Sequence, residues 1–200
     1  PGHADYPAYI RYKGFNDYRG GGQFSGRLTA ALVAAGVVAK KIIAPILVEA
    51  KILSIGEEIT DFEQIIKKVE QEKDSIGGII QCTAQNVPPG LGEPFFDSVE
   101  SMLAHAIFSI PGIKGIEFGD GFKVGSMRGS EYNDPILPDG KLASNHAGGI
   151  QGGLTNGNPL VFRVAVRPPS SIGIPQQSID LRTNEPVTLK IQGRHDTCFA

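Results

Sequence analysis

The segment TDFEQIIKKVEQEKDSIGGIIQCTAQNV, residues 60–87, changes periodicity halfway along. Thr60-Asp61-Phe62-Glu63 has the pattern of a capping box, with Thr60 as cap and Glu63 reaching back. Phe62, Ile65, Ile66 and Val69 then share one face of a helix, with lysines and glutamates elsewhere. From residue 75 to residue 87 the chain reads as a strand holding a glycine pair, and Pro88-Pro89-Gly90 turns it. A surface helix running straight into an apolar strand is the unit around which the rest is read.

Toward the N-terminus, residues 46–55 alternate as a strand. Residues 27–43 read as a helix, rich in alanine, with Leu28, Ala31, Leu32, Ala35 and Val38 at helical spacing. Ser25 is its expected N-cap, and Pro45 ends it. Residues 1–22 read as a loop or extended segment. Toward the C-terminus, a helix is expected over 96–109, with Val99, Met102, Leu103, Ala106 and Ile107 inward and His105 partly buried. Pro111-Gly112 stops it before a short strand at 115–118, and further strands are expected at 160–166 and 187–191. Residues 119–158 are glycine-rich with little periodicity, too long for an idle linker, and are expected to form a functional loop region. Strands and helices intermix with no internal repeat and no glycine fingerprint of a dinucleotide fold. The expected class is α+β, in one domain spanning residues 1–200.

Bulk properties narrow the function. A net charge of −2 offers no broad basic surface for nucleic acid, so any bound anion must be held by locally placed arginines and backbone amides. The apolar run near residues 28–48 is broken by Lys40, Lys41 and Pro45, which argues against a membrane span. Cys82 and Cys198 do not make a disulfide framework, and reduced thiols in the cytoplasm are expected. A zinc site from His195, Cys198 and Cys82 matches no usual ligand spacing, so no metal is expected. Twenty-six glycines and fourteen prolines require many tight turns and close backbone approaches.

Four segments carry candidate chemistry. His3, in Gly2-His3-Ala4-Asp5, is either a proton donor or acceptor or an incidental histidine at a frayed end. Arg19 to Arg27 encloses Gly20-Gly21-Gly22 at a helix start, suited to an anion, or else only turns the chain. Ser144-Asn145-His146-Ala147-Gly148-Gly149-Ile150-Gln151-Gly152-Gly153 offers an open surface for a flat aromatic ligand, or a structural turn capped by His146. Gly193-Arg194-His195-Asp196 joins a guanidinium, an imidazole and a carboxylate, or is ordinary exposed charge after a strand.

Taken in order, these and other blocks resemble the chorismate synthase family. The matching residues are Pro-Gly-His-Ala-Asp-Tyr at 1–6, Asp17-Tyr18-Arg19-Gly-Gly-Gly, and Ser25-Gly26-Arg27-Leu-Thr-Ala. They continue through Val87-Pro-Pro-Gly-Leu-Gly-Glu-Pro94, Gly115-Ile-Glu-Phe-Gly-Asp-Gly-Phe122, Ser144-Asn-His-Ala-Gly-Gly-Ile150 and Gly193-Arg-His-Asp196. The resemblance implies a β-α-β sandwich with helices between antiparallel sheets, and a homo-oligomer, a tetramer in the family. It implies conversion of 5-enolpyruvylshikimate 3-phosphate to chorismate by 1,4-anti elimination of phosphate, with reduced FMN and no net redox change.

Residue by residue, His3 matches the histidine associated with reduced flavin, and Asp196 the acid group assisting loss of the C6 proton. Ser25, Arg27 and Arg194 match substrate positions. Flavin contacts carry over to Gln23, Phe24, Ser25, Pro111, Gly112, Gly152, Arg167, Pro168, Pro169, Ser170, Ser171 and Arg194. His195, often serine in the family, receives no role. The 148–153 run is expected near the flavin. Gln23-Phe24 replaces the more usual arginine-serine, and the family's Gly-Glu-Ser-His-Gly segment and upstream arginine cluster have no match. The resemblance therefore implies a truncated, central portion of such a protein, and an isolated chain of this extent is expected to show little or no turnover. A non-catalytic flavin- or phosphate-binding module, or an oligomerisation domain, is the alternative, and an NAD(P)H-driven flavin reductase activity is left open.

Overall fold

Strict alternation in LVFRVAV organises the fold. In the computed structural model, which describes residues 3–193 and 195–200, this segment is one of the two inner strands of a four-stranded antiparallel sheet. In chain order the elements are α1 (Asp5–Arg11), α2 (Thr29–Ile42), β1 (Leu47–Ile55), α3 (Phe62–Gln71), β2 (Gly78–Gln85), α4 (Val99–Phe108), β3 (Ile113–Phe118) and α5 (Gly129–Tyr132). The two-residue strands β4 (Ile150–Gln151) and β5 (Leu154–Thr155) follow, then β6 (Leu160–Val166), β7 (Gln176–Ile179) and β8 (Pro186–Leu189). The main sheet runs β1-β2-β6-β3, and β4-β5 and β7-β8 are separate hairpins. This is the α+β class expected from the sequence.

Leu160, Phe162, Val164 and Val166 are buried on one face of β6. They pack with Val87 and Ile150, with Val99, Leu103 and Ile107 of α4, and with Phe118, whose ring centre lies 5.9 Å from that of Phe162. The opposite face is mixed, with Val161 and Ala165 flanking a polar row. Gln81, Arg163 and Glu117 stand in register across three strands, and Arg163 Nε donates to Glu117 Oε1 at 2.7 Å. One face holds the core while the other tolerates charge, as the period-two pattern requires.

Several local expectations change. Asp61, not Thr60, caps α3: its carboxylate accepts from the Gln64 N–H at 2.9 Å. Thr60 instead donates its hydroxyl to Glu58, whose carboxylate also accepts three backbone N–H groups. These bonds, led by the Thr60 hydroxyl, lower the Glu58 carboxyl to about 2. Residues 5–11, read as loop, form α1, and β7 was missed because QQSI lacks strand alternation. In α4 the inward stripe is narrower than expected, since Met102, His105 and Ala106 are exposed. Helix α2 forms inside the expected span, but Ser25 caps a separate 3-10 turn at Gly26–Leu28 rather than α2, which starts without a side-chain cap. None of its residues is buried, and Leu32 is 54% and Val33 70% exposed.

The loop region 119–158 is organised around one carboxylate. Asp134, 8% exposed, accepts from the Ser144 hydroxyl at 2.5 Å and from the N–H groups of His146 and Ala147 at 2.8 and 3.0 Å. His146 Nδ1 lies 2.8 Å from Asp120 Oδ2, and the Asp120 N–H donates to the His146 carbonyl. Burial pushes the Asp134 carboxyl up, but its hydrogen bonds outweigh that and its pKa is lowered. A carboxyl lowered in the folded state stabilises above its unfolded pKa, and that contribution is lost as pH falls through the folded value. Asp134→Ala, which leaves three donors without an acceptor, is expected to cost about 2–4 kcal/mol near neutrality. The variant's thermal midpoint should also depend less steeply on pH below about 4, and an unchanged midpoint would remove Asp134 as the anchor.

Candidate functional site

The strands define two ends of the sheet. Loops 86–98 and 119–159 gather at one end. The other, where Gly78, Val166, Ile113 and Ile55 meet, gathers the turn before β3, the turn after β6 and the C-terminal residues. At this second end lies a cavity of about 950 Å³.

Its walls come from segments far apart in sequence. The N-terminal segment contributes His3 and Asp5, and the glycine loop contributes Tyr18, Phe24, Ser25 and Arg27. That loop needs its glycines, because Gly20, Gly21 and Gly22 have φ of 64°, 75° and 47°. Ser25 Oγ accepts from the Arg27 N–H at 3.3 Å, and Arg27 donates to the Gly20 carbonyl at 2.7 Å, so the arginine closes its own loop. Arg19 does not line the cavity; it forms a fork with Asp17 at 2.9 Å through two nitrogens.

A third wall is the turn after β6. The Arg167 N–H donates to the Gly112 carbonyl, and the Ser75 hydroxyl to the Pro169 carbonyl, which ties the turn on both sides. The Arg167 guanidinium bonds the Pro168 carbonyl and Ser170 Oγ at 2.7 and 2.8 Å. The tail supplies His195, Asp196 and Phe199. It is held by the Ile76 N–H donating to the Thr197 carbonyl, and a side chain at Gly78 would meet Ala200. Leu32 and Val33 of α2, with Ile110, Ile191 and Phe199, give an apolar side. His3 is shifted down by burial and then by the Arg167 charge, with Asp5 opposing, which favours its neutral form.

Of the residues singled out from the sequence, His3, Phe24, Ser25, Arg27, Pro111, Arg167, Pro169, Ser170, Ser171 and Asp196 line this one cavity. Gln23 turns instead to the Tyr12 hydroxyl at 2.6 Å. Gly112 and Pro168 sit in wall segments without lining the space themselves. Gly152 does not meet the expectation of a shared surface within this chain. It belongs to the β4–β5 hairpin, packed with loops 86–98 at the far end of the sheet. Arg194 lies outside the described residues. Sequence reasoning missed Tyr18, Leu32, Val33, Ile110, Ile191 and Phe199; apolar residues at a cavity carry no signal that separates them from core. Among the described residues, no cluster of three His, Cys, Asp or Glu side chains suits a metal, and no helix is long and apolar enough to cross a membrane.

Comparison with known proteins matches the chorismate synthase family profile over residues 1–200. The chain is 56% identical over 202 residues to the chorismate synthase of Chitinophaga pinensis, covering all of this chain and 60% of that protein. It is 46% identical over 224 residues to that of Pyrococcus abyssi, covering 98% of this chain and 63% of the relative. A crystal structure of chorismate synthase superposes with a TM-score of 0.75 at 31% identity, over 80% of this chain and 61% of that one. The chain thus spans about 60% of the length of the relatives it matches.

Proposed function

This chain belongs to the chorismate synthase family, and on that premise we propose that it forms part of a lyase making chorismate from 5-enolpyruvylshikimate 3-phosphate with reduced FMN. The observation that carries the reading is the convergence of His3, Ser25, Arg27, Arg167 and Asp196 on one cavity from four separate segments.

The cavity fits the group such chemistry needs. Its volume is at the upper end of the usual range for ligand sites, and it has an apolar side for a ring system with cationic and backbone donors beside it. Phe24, Ser25, Pro111 and the 167–171 turn would hold FMN, and the bound reduced flavin would supply electron density to the ring undergoing elimination. Arg27 and Ser25 would bind the anionic substrate, with a guanidinium matched to carboxylate or phosphate. His3, whose neutral form is favoured by burial and by Arg167, would accept a proton at an imidazole nitrogen. The Asp196 carboxylate would take the proton leaving C6 as the C3–O bond to phosphate breaks and a new double bond forms. Electrons balance within the substrate, so no net oxidant is required.

We place the protein, on the same reading, in the cytoplasm as an oligomer; the open apolar face of α2 supports assembly. The test is anaerobic assay of the protein as encoded, with photoreduced FMN and 5-enolpyruvylshikimate 3-phosphate. Equal amounts of chorismate and inorganic phosphate are expected. Tight flavin binding without phosphate release would favour a non-catalytic flavin-binding module instead.

A further inference from the structure

His195 has no part in the reaction described above, yet it lines the same cavity. Among the described residues the charged side chains there are Arg27, Arg167, Asp5 and Asp196. Both guanidiniums already donate to carbonyls of their own loops. A ligand carrying phosphate and carboxylates is held by further N–H donors in such a space. His3 is biased toward its neutral form by burial and by Arg167. The His195 ring, half-buried, has no hydrogen-bond or ion-pair partner among the described residues. Its backbone is held independently of the ring, because the next residues are pinned through Thr197 to Ile76 and through Ala200 against Gly78.

We propose that His195 is an anion-binding residue of this cavity, taking up a proton as the ligand enters and donating an N–H hydrogen bond to a phosphate or carboxylate oxygen. The inference rests on the cavity being the site of an anionic substrate. The groups facing the same space are His3 and Asp5 from the N-terminal segment, Tyr18 and Arg27 from the glycine loop, Arg167 from the turn after β6, and the neighbouring Asp196. Of these, an imidazole is the type whose charge changes near neutrality. Anion binding should therefore tighten as pH falls.

The test uses the protein as encoded, loaded with reduced FMN, and its His195→Asn variant, which keeps a donor but cannot be charged. At about pH 6.5 the variant's KM for 5-enolpyruvylshikimate 3-phosphate is expected to rise about tenfold, with kcat within about twofold. The difference should shrink as pH rises. A KM difference that is absent, or constant with pH, overturns the proposal. Calorimetric binding of sulfate, whose charge does not change over this range, gives a second readout that needs no turnover. Wild-type protein should bind sulfate more tightly at low pH and the variant should not, and parallel curves would overturn the assignment. An inactive wild type would remove the lyase reading and leave the sulfate result to decide His195. Should His195→Asn not fold, His195→Gln takes its place in both the KM and the sulfate measurements.

Discussion

Asp196→Asn in the protein as encoded is expected to lower kcat by about 10²–10⁴-fold, the usual contribution of a positioned proton acceptor. KM should change far less, because asparagine preserves the size of the side chain and removes only its capacity to take the proton. Asp196 lines the cavity with His3 and Arg27, and the tail carrying it is fixed by the Ile76–Thr197 hydrogen bond at 2.8 Å. The substitution should therefore leave the fold intact. His3→Ala should show the same split between kcat and KM, since that ring also faces the cavity. Steady-state kinetics under anaerobic conditions, with reduced FMN in excess, check both. Turnover unchanged in both variants would take proton transfer away from this cavity.

The largest expected loss of stability is at Gly119. Its φ is +55°, and an added Cβ would overlap the His146 carbonyl oxygen and lie 2.5 Å from Gly148 N and 2.7 Å from the Ala147 carbonyl carbon. None of these atoms belongs to a flexible side chain. The His146 carbonyl accepts from Asp120 and the Gly148 carbonyl from Val161, so the backbone that would have to move is hydrogen-bonded into the sheet end. Gly119→Val is expected to cost on the order of 3 kcal/mol or more, combining backbone strain with overlap. Gly125→Ala is the control: nothing lies within 4 Å of its added Cβ, and a change within about 0.5 kcal/mol is expected. Denaturant unfolding of the two variants checks the contrast, and equal midpoints would show that the close approach is not needed.

The same contact explains a feature of the sequence that pointed elsewhere. Within the 144–153 run, read from the sequence as an open surface for a flat ligand, Gly148 is a glycine because Gly119 and the Val161 carbonyl crowd it, whereas an added Cβ at Gly152 meets nothing within 4 Å. Gly149 is similarly crowded by Pro159 and Leu160. Glycines needed for backbone approach and glycines needed for a ligand look identical in a sequence. In contrast, the triple glycine at 20–22 lies at the cavity, with positive φ throughout and no neighbour closer than 3.5 Å to an added Cβ. Only the surroundings separate the two cases.

The strand β6, the helices α3 and α4, and the C-terminal end of α2 were legible in the sequence because period and breakers act between residues a few positions apart, whereas the caps expected at Ser25 and Thr60 were not the ones formed. The motif order alone was also enough to name the family. Other features depended on contacts that close over long stretches of chain. Asp61 capping α3 in place of Thr60 depended on where Glu58 turned its carboxylate. His3, Arg27, Arg167 and Asp196 line one cavity because antiparallel pairing brings the start of β2, the end of β6 and the start of β3 to one end of the sheet. That same pairing sends the β4–β5 hairpin, with Gly152, to the other end. Local free energies of helix and strand formation are written residue by residue; which end of a sheet a loop occupies is set by strand direction and register, and these exist only once the sheet has formed.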